Sequence, residues 1–278
     1  FHTGANLVFA DIDPRTGNID PESVKKKITS KTKAIVGVHW AGDPFDIDGI
    51  NTVVKESGQD IKVVEDAAHA LGATYNEKVI GSHSDFVCFS FQAIKHLTTV
   101  DGGAICSKDE NDDKRIKKLR WFGLDRKFKG SRWEQDISEC GFKFHMNNVN
   151  AVIGLEQMKS IDSLIKSHQY VGSFYDKNIE NKNIEKLSRN SKGTSSHWIY
   201  TLLVEDREDF KKYLEENKIA SDVVHVRNDK YSVFNRFRDD NLPGADYFCS
   251  RMINIPVGWW LGEQDALYIL DVINRYKV

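Results

Sequence analysis

The first half of the chain alternates short apolar runs with amphipathic stretches. Runs rich in β-branched and aromatic residues predict strands at Leu7–Ile12, Ala34–His39, Ile61–Glu65, Asp85–Phe89 and Gly103–Cys106. Between them, Pro21 opens one predicted helix, and apolar residues recur at helical spacing from Ile47 to Ser57. This alternation of strands and helices indicates an α/β fold with a mostly parallel sheet covered by helices.

The pattern changes after about residue 109. A long helical pattern runs from Asn148 to His168, and a polar linker occupies Asn181–Ser196. Then follow a strand (Trp198–Glu205), a helix (Asp206–Asn217), a second strand (Asp222–His225), an apolar segment from Ile253 to Trp260 and a final helix. We place a domain boundary near residue 160, so that a large domain spans 1–160 and a smaller α+β domain spans 161–278.

Composition and charge exclude several classes of function. With 278 residues, 40% hydrophobic and 29% charged, the chain has the composition of an ordinary globular protein. A formal net charge of -2 offers no electrostatic attraction for nucleic acid or an anionic membrane. No apolar run approaches the roughly 20 residues of a membrane span. The four cysteines form no CxxC pair, which favours reduced thiols in the cytoplasm.

The start of the chain is unusual. Phe1 stands where a Met would begin a complete chain, and a strand is predicted almost at once, from Leu7. We therefore expect that the N-terminal portion of the large domain is missing.

Three polar residues stand at or just past the carboxyl ends of predicted strands. Asp66 ends one strand, whereas Ser90 and Lys95 follow another, ahead of a turn that closes with Gly102 and Gly103. Ligands of open α/β sheets gather at this edge. Pyridoxal phosphate (PLP) needs a lysine for its Schiff base, a carboxylate facing its pyridine nitrogen and donors for its phosphate. Lys95, Asp66 and Ser90 suit these three needs, and His69 is suitably placed for the ring or its hydroxyl.

Each of these residues also has an ordinary structural interpretation. Asp66 can cap the following helix, Ser90 can form a turn, and His69 can pack within a helix. The cofactor-site interpretation therefore depends on their combination with Lys95. The large aromatic residues are interpreted as core or interface positions: Trp121, Trp198, Trp259 and Trp260. Nothing in the sequence has metal-site spacing, so no metal is expected.

The segments that hold these residues resemble one protein family. The residue runs 63–73, 81–82, 89–91 and 95–103 are similar to the DegT/DnrJ/EryC1/StrS family of PLP-dependent sugar aminotransferases, and so are 8–13 and 33–39. The resemblance covers essentially the whole chain. It implies the type I fold of PLP enzymes, a homodimer, and transfer of an amino group from L-glutamate to a nucleotide-linked ketosugar. Such reactions serve surface polysaccharide or glycan biosynthesis, with pyridoxamine phosphate as the intermediate form of the cofactor.

The resemblance also implies a role for individual residues. It makes Lys95 the Schiff-base lysine, Asp66 the partner of the pyridine nitrogen and Ser90 a phosphate ligand. His69 stands where the family has Gln or His near the ring hydroxyl. Val100 departs from the family, which often has Gly before the acidic-Gly-Gly turn.

Further residues are candidates for binding cofactor or substrate. The segment Gly141–Asn147 resembles one that reaches the partner subunit's cofactor site, which implies a role for Lys143 or His145. In the family, Asn and Arg are commoner there. His225 and Arg227 are candidates for the sugar site, although ordinary packing explains them equally well.

Two other functions fit the same residues. A sugar dehydratase of this family uses pyridoxamine phosphate with His in place of the lysine, and His96 lies next to Lys95. However, the residue five positions after Ser90 is Lys95 and not His96, which favours the aminotransferase. The second alternative is a catalytically silent partner subunit, which a missing N-terminal segment would favour.

Overall fold

The computed structural model describes residues 2–277. Its helices are α1 (Pro21–Lys27), α2 (Ile47–Ser57), α3 (Glu110–Leu119), α4 (Asn148–Gln157), α5 (Ile161–Asn178), α6 (Arg207–Glu216), α7 (Pro243–Arg251) and α8 (Glu263–Arg275). Its strands are β1 (Ile12–Asp13), β2 (Asn18–Ile19), β3 (Ala34–Val38), β4 (Lys62–Asp66), β5 (Thr74–Tyr75), β6 (Lys78–Val79), β7 (Phe86–Ser90), β8 (Gly103–Ser107), β9 (Ile184–Lys186), β10 (Gly193–Thr194), β11 (Tyr200–Val204) and β12 (Met252–Ile255). Among these residues, no helix is long and apolar enough to cross a membrane.

The central sheet has the strand order β3-β4-β7-β8. The first three strands are parallel, and β8 returns antiparallel to β7. Val38 pairs with Asp66 and Asp66 with Cys88, so the carboxyl ends of the parallel strands lie level along one edge. The predicted mostly parallel α/β sheet is confirmed.

One face of this sheet packs against helices. Its buried side chains alternate along the strands and join those of α1 and α2 in one hydrophobic cluster that includes Val24, Ile35, Ile50, Val63 and Val87. Both helices begin at Asp caps, Asp20 and Asp46, and α2 ends at Gly58 in the left-handed region with φ 65°. These caps define where α1 and α2 begin and where α2 ends. Because both helices pack against the sheet, they also support the edge at which its parallel strands end.

The C-terminal part forms a second, antiparallel sheet with the order β12-β11-β9. Its strands pack against α5, α6 and α8 in a separate hydrophobic cluster that includes Tyr175, Leu202, Phe210, Ile253 and Val272. This arrangement has the α+β character expected for the smaller domain. The exact boundary near residue 160 remains our proposal.

Two predicted strands are wrong in extent. Of the predicted strand Leu7–Ile12, only Ile12 lies in a strand. The preceding Asp11 instead accepts hydrogen bonds from the Gly244 and Ala245 N–H groups, both at 2.8 Å, and so caps α7. The predicted strand Asp222–His225 is reduced to one bridge between Asp222 and Asn254.

The long predicted helix is also interrupted. The pattern from Asn148 to His168 divides into α4 and α5, because Ser160 departs from helical geometry with φ -116° and ψ 0°. The apolar periodicity continues across this break, so it did not reveal that the segment forms two helices.

Candidate active site

Lys95 lies in a closed loop between β7 and β8. The Phe91 N–H donates to the Gly102 carbonyl at 2.8 Å, and the Thr99 N–H donates to the Phe91 carbonyl at 2.9 Å, so the loop is tied at its base. Within it, the Lys95 N–H donates to the Gln92 carbonyl at 3.0 Å. The loop thus has a defined conformation that places Lys95 just beyond the carboxyl edge of the sheet.

The Lys95 amine is partly removed from water. Burial lowers its pKa, and the nearby Asp66 carboxylate opposes this change. Asp66 itself ends β4, where one carboxylate oxygen accepts from the Ala68 N–H at 3.0 Å. The helix-capping interpretation of Asp66 is wrong, because no helix lies among the described residues between β4 and β5; this bond closes a turn and leaves the second carboxylate oxygen for other partners. A lysine with a lowered pKa is more often a neutral nucleophile at neutral pH.

His69 is buried beside these two residues. Burial and then the charge of Lys95 lower its pKa to about 2, so its imidazole is neutral. Its Nδ1 is buried without a hydrogen-bond partner among the described residues. An unpaired buried nitrogen is costly, so this atom is suited to a bound group that offers a hydrogen bond.

His225 joins the same cluster. Its ring stacks on that of His69 with the centroids 5.6 Å apart. Burial and then Lys95 lower its pKa, whereas Asp66 works in the opposite direction. The structure thus brings together His225, His69, Asp66 and Lys95, which the sequence analysis named from three separate segments.

Two tryptophans complete the cluster, and sequence reasoning did not assign them to it. Trp198 lies beneath the Lys95 ammonium, which is 3.8 Å from its ring centroid, and stacks on His69 at 3.9 Å. Trp40 packs edge-on against both His69 and His225. The residues that Trp40 and Trp198 contact in this cluster lie at least 29 positions away in the chain, so no local sequence pattern could have revealed these contacts.

Ser90 ends β7 at the same edge of the sheet. Its Oγ accepts weakly from the Gln92 N–H at 3.4 Å, as the turn-forming interpretation suggested. Accepting uses only a lone pair, so the hydroxyl proton can still be donated to a phosphate.

Three of the predicted residues have other surroundings. The His145 ring lies edge-on to Trp121 at 4.1 Å, and Lys143 forms a backbone bridge to the same residue. Arg227 is buried and pairs with Asp229 and Asp246, each at 2.6 Å. A substrate would have to displace these carboxylates to engage the Arg227 guanidinium.

The residues present fit PLP at several points. Lys95 offers a partly desolvated amine, Asp66 a strand-end carboxylate, Ser90 a hydroxyl, and His69 a buried nitrogen that needs a partner. Donor chemistry of this kind matches the aldehyde, pyridine nitrogen, phosphate and ring hydroxyl of the cofactor.

Comparison with known proteins identifies the family. The sequence profile of the DegT/DnrJ/EryC1/StrS aminotransferase family matches residues 1–274. The chain belongs to this family. It is therefore an enzyme of the type I fold, a PLP-dependent aminotransferase that acts on a sugar.

Named relatives cover most of the chain. SpsC of Bacillus subtilis, a spore coat polysaccharide biosynthesis protein, is 29% identical over 98% of this chain and 74% of its own length. The UDP-4-amino-4,6-dideoxy-N-acetyl-beta-L-altrosamine transaminase of Campylobacter jejuni is 28% identical over 97% of this chain and 73% of its own.

Solved structures agree with this assignment. The sugar aminotransferase CalS13 from Micromonospora echinospora is 35% identical, with a TM-score of 0.94 over 98% of this chain and 75% of that one. Spr1654 from Streptococcus pneumoniae in its PLP form is 29% identical, with a TM-score of 0.89 over 98% of this chain and 75% of its own. Spr1654 has also been solved in a PMP form.

Proposed function

We propose that this enzyme transfers an amino group from L-glutamate to the keto group of a nucleotide-linked sugar. The observation that carries the proposal is the partly buried Lys95 amine with a lowered pKa beside Asp66. The UDP-sugar named for the Campylobacter relative supports the nucleotide carrier, and the name of SpsC supports a destination in polysaccharide biosynthesis. L-glutamate as donor rests on the family resemblance.

Each site residue has a defined role in this scheme. When bound, PLP withdraws electrons from the carbon that carries the exchanged amino group, which makes its proton removable. Lys95 would hold the cofactor through Nζ, and its free amine would be the group that takes and returns that proton. The Asp66 carboxylate would keep the pyridine nitrogen protonated. The His69 Nδ1 would form a hydrogen bond with the ring hydroxyl, and the Ser90 hydroxyl would donate to the phosphate.

The proposal includes a homodimer. Phe142 and Phe144 stack on each other at 4.7 Å while both are exposed, on either side of Lys143. Helix α4, which follows, exposes Val149, Val152 and Leu155. Several large apolar side chains exposed on neighbouring segments favour an interaction site. A partner here would bring Lys143 and His145 towards a second active site, as the resemblance implies.

A cytoplasmic location completes the proposal. All four cysteines are free, as expected of a protein from a reducing compartment.

The test uses PLP and L-glutamate with the wild type and Lys95→Ala. We expect the wild type to show the visible absorbance of lysine-bound cofactor, and L-glutamate to remove it. Lys95→Ala should lack this absorbance and lose turnover by at least about 10³-fold, because both the covalent link and the proton carrier are gone. Lys78→Ala, on an exposed lysine, is the matched control.

The alternatives predict different products. A sugar that loses water without gaining an amine would support the dehydratase. A folded wild type that does not attach PLP would contradict the aminotransferase and favour the silent partner. Full turnover by Lys95→Ala would refute the role of Lys95.

A further inference from the structure

Trp198 makes three contacts with the candidate active site. Its indole is only 8% exposed, and the Lys95 ammonium lies 3.8 Å from its ring centroid. The His69 ring stacks on it at 3.9 Å with an interplanar angle of 19°. Its Nε1–H donates to the carbonyl of Ile94, the residue before Lys95, at 3.0 Å. One side chain therefore touches the amine, its loop and the neighbouring imidazole.

The backbone around Trp198 is fixed as firmly as its side chain. Its N–H donates to the Ala41 carbonyl at 2.9 Å, and the Ser196 N–H donates to the Gly42 carbonyl at 3.1 Å. The Ser196 Oγ also donates to the His69 carbonyl at 2.7 Å. A Cβ at Gly42 would lie 2.3 Å from this Oγ, so the close approach requires glycine. The indole is thus held by the segment that leads into β11.

Lys95 contacts the face of the Trp198 ring rather than the nearby Asp66 carboxylate. Asp66 is close enough to affect the Lys95 amine, yet no ion pair within 4.0 Å joins the two among residues 2–277. An aromatic face attracts an ammonium without accepting its proton or occupying a carboxylate. An ion pair would instead consume the Asp66 oxygen that the cofactor's pyridine nitrogen needs, and it would hold the amine in its charged form.

We propose that Trp198 is a positioning residue for Lys95, which it holds on its ring and away from Asp66 while its Nε1–H fixes the lysine loop. The inference rests on the proposed function of Lys95 as the amine that binds the cofactor. Trp198 gives the released side chain a neutral resting place from which it can return. It also keeps His69 oriented, since that ring is stacked on the indole.

The test measures the titration of Lys95 in the cofactor-free protein. NMR of protein labelled with ¹⁵N at the lysine Nζ follows each amine against pH, and Lys95→Arg identifies the resonance of Lys95. In Trp198→Leu we expect the ammonium to move onto Asp66, which raises its titration midpoint by about one pH unit. Asp66→Asn in the same chain should remove that rise. Trp133→Leu, at an 87% exposed tryptophan, should leave the midpoint unchanged.

A second variant separates the ring from its hydrogen bond. Trp198→Phe keeps an aromatic face, so the Lys95 midpoint should stay at the wild-type value. Loss of the bond to Ile94 loosens the loop, and PLP attachment should slow about fivefold, the equivalent of one neutral hydrogen bond. Because phenylalanine preserves most of the packing, this variant tests the proposal even where Trp198→Leu does not fold.

The outcomes distinguish this inference from the proposed function. An unchanged or lower Lys95 midpoint in Trp198→Leu, or attachment at the wild-type rate in Trp198→Phe, would overturn the positioning role. A wild type that never attaches PLP at Lys95 would overturn the proposed function instead, because the NMR titration is made without cofactor.

Discussion

Val100 occupies backbone geometry that suits glycine. Its φ is 68°, in the left-handed region, although its side chain is β-branched and 59% exposed. The turn holds the Lys95 loop, since the neighbouring Asp101 carbonyl accepts from Thr99 Oγ1 at 2.9 Å and from Asn150 Nδ2 at 2.8 Å.

Val100→Gly should therefore stabilise the protein. Relief of the left-handed strain should raise the free energy of unfolding by about 1–2 kcal/mol. The greater conformational freedom of glycine in the unfolded chain should lower it by up to about 1 kcal/mol. We expect a net gain of about 0.5–1 kcal/mol in the free energy of unfolding, measured by urea denaturation. Val79→Gly, at another exposed valine but in β6, should lower it. Equal losses in both variants would show that Val100 is not strained.

At the residue scale, the sequence predicts those site residues that follow strands. Asp66, Ser90 and Lys95 became candidates because the carboxyl edge of a parallel sheet gathers the residues that end or follow its strands. Trp198 was not, because its role depends on a contact with a residue 103 positions earlier. Arg227 looked available for a substrate only because its pairing with Asp229 and Asp246 depends on the folded loop.

Elements were predicted best where local signals agree with the core. Helix α2 has the predicted bounds, since its caps and its apolar spacing coincide. The strand Leu7–Ile12 failed because Asp11 is used to cap α7, more than 230 positions away. Hydrophobic periodicity also continued across Ser160, where the helix breaks, because both helices present apolar residues at similar spacing.

Helix α4 tests the proposed dimer. Leu155 is 66% exposed on its apolar face, so a charge there would be buried without a partner in a dimer. Leu155→Glu should raise the dimer dissociation constant at least about tenfold, as measured by sedimentation velocity over a range of concentrations. Leu267→Glu, at an exposed leucine of α8, is the matched control. A wild type that sediments only as a monomer would contradict the homodimer.

At the scale of the whole molecule, buried histidines link stability to pH. The pKa of His96 is lowered to about 3, mainly by burial and to a lesser extent by the charge of His168. The pKa of His197 is also lowered to about 3, mainly by burial and to a lesser extent by the charge of Arg189. The unfolded chain protonates both below about pH 6.5, whereas the folded protein does not until about pH 3. Stability therefore falls as the pH drops through this window.

By pH 5, each of these histidines should cost about 2 kcal/mol, and so should His69, whose pKa is about 2. Asp43 acts in the opposite direction, because burial raises its pKa to about 6, so the folded state gains about 1 kcal/mol over the same range. The net loss of about 5 kcal/mol between pH 7.5 and 5.0 should appear as a lower midpoint of urea unfolding. The double variant His96→Gln, His197→Gln should remove most of this loss, whereas His2→Gln, at an exposed residue, should retain it. A double variant as sensitive to acid as the wild type would place the effect elsewhere, in the ionised carboxylates that salt bridges stabilise.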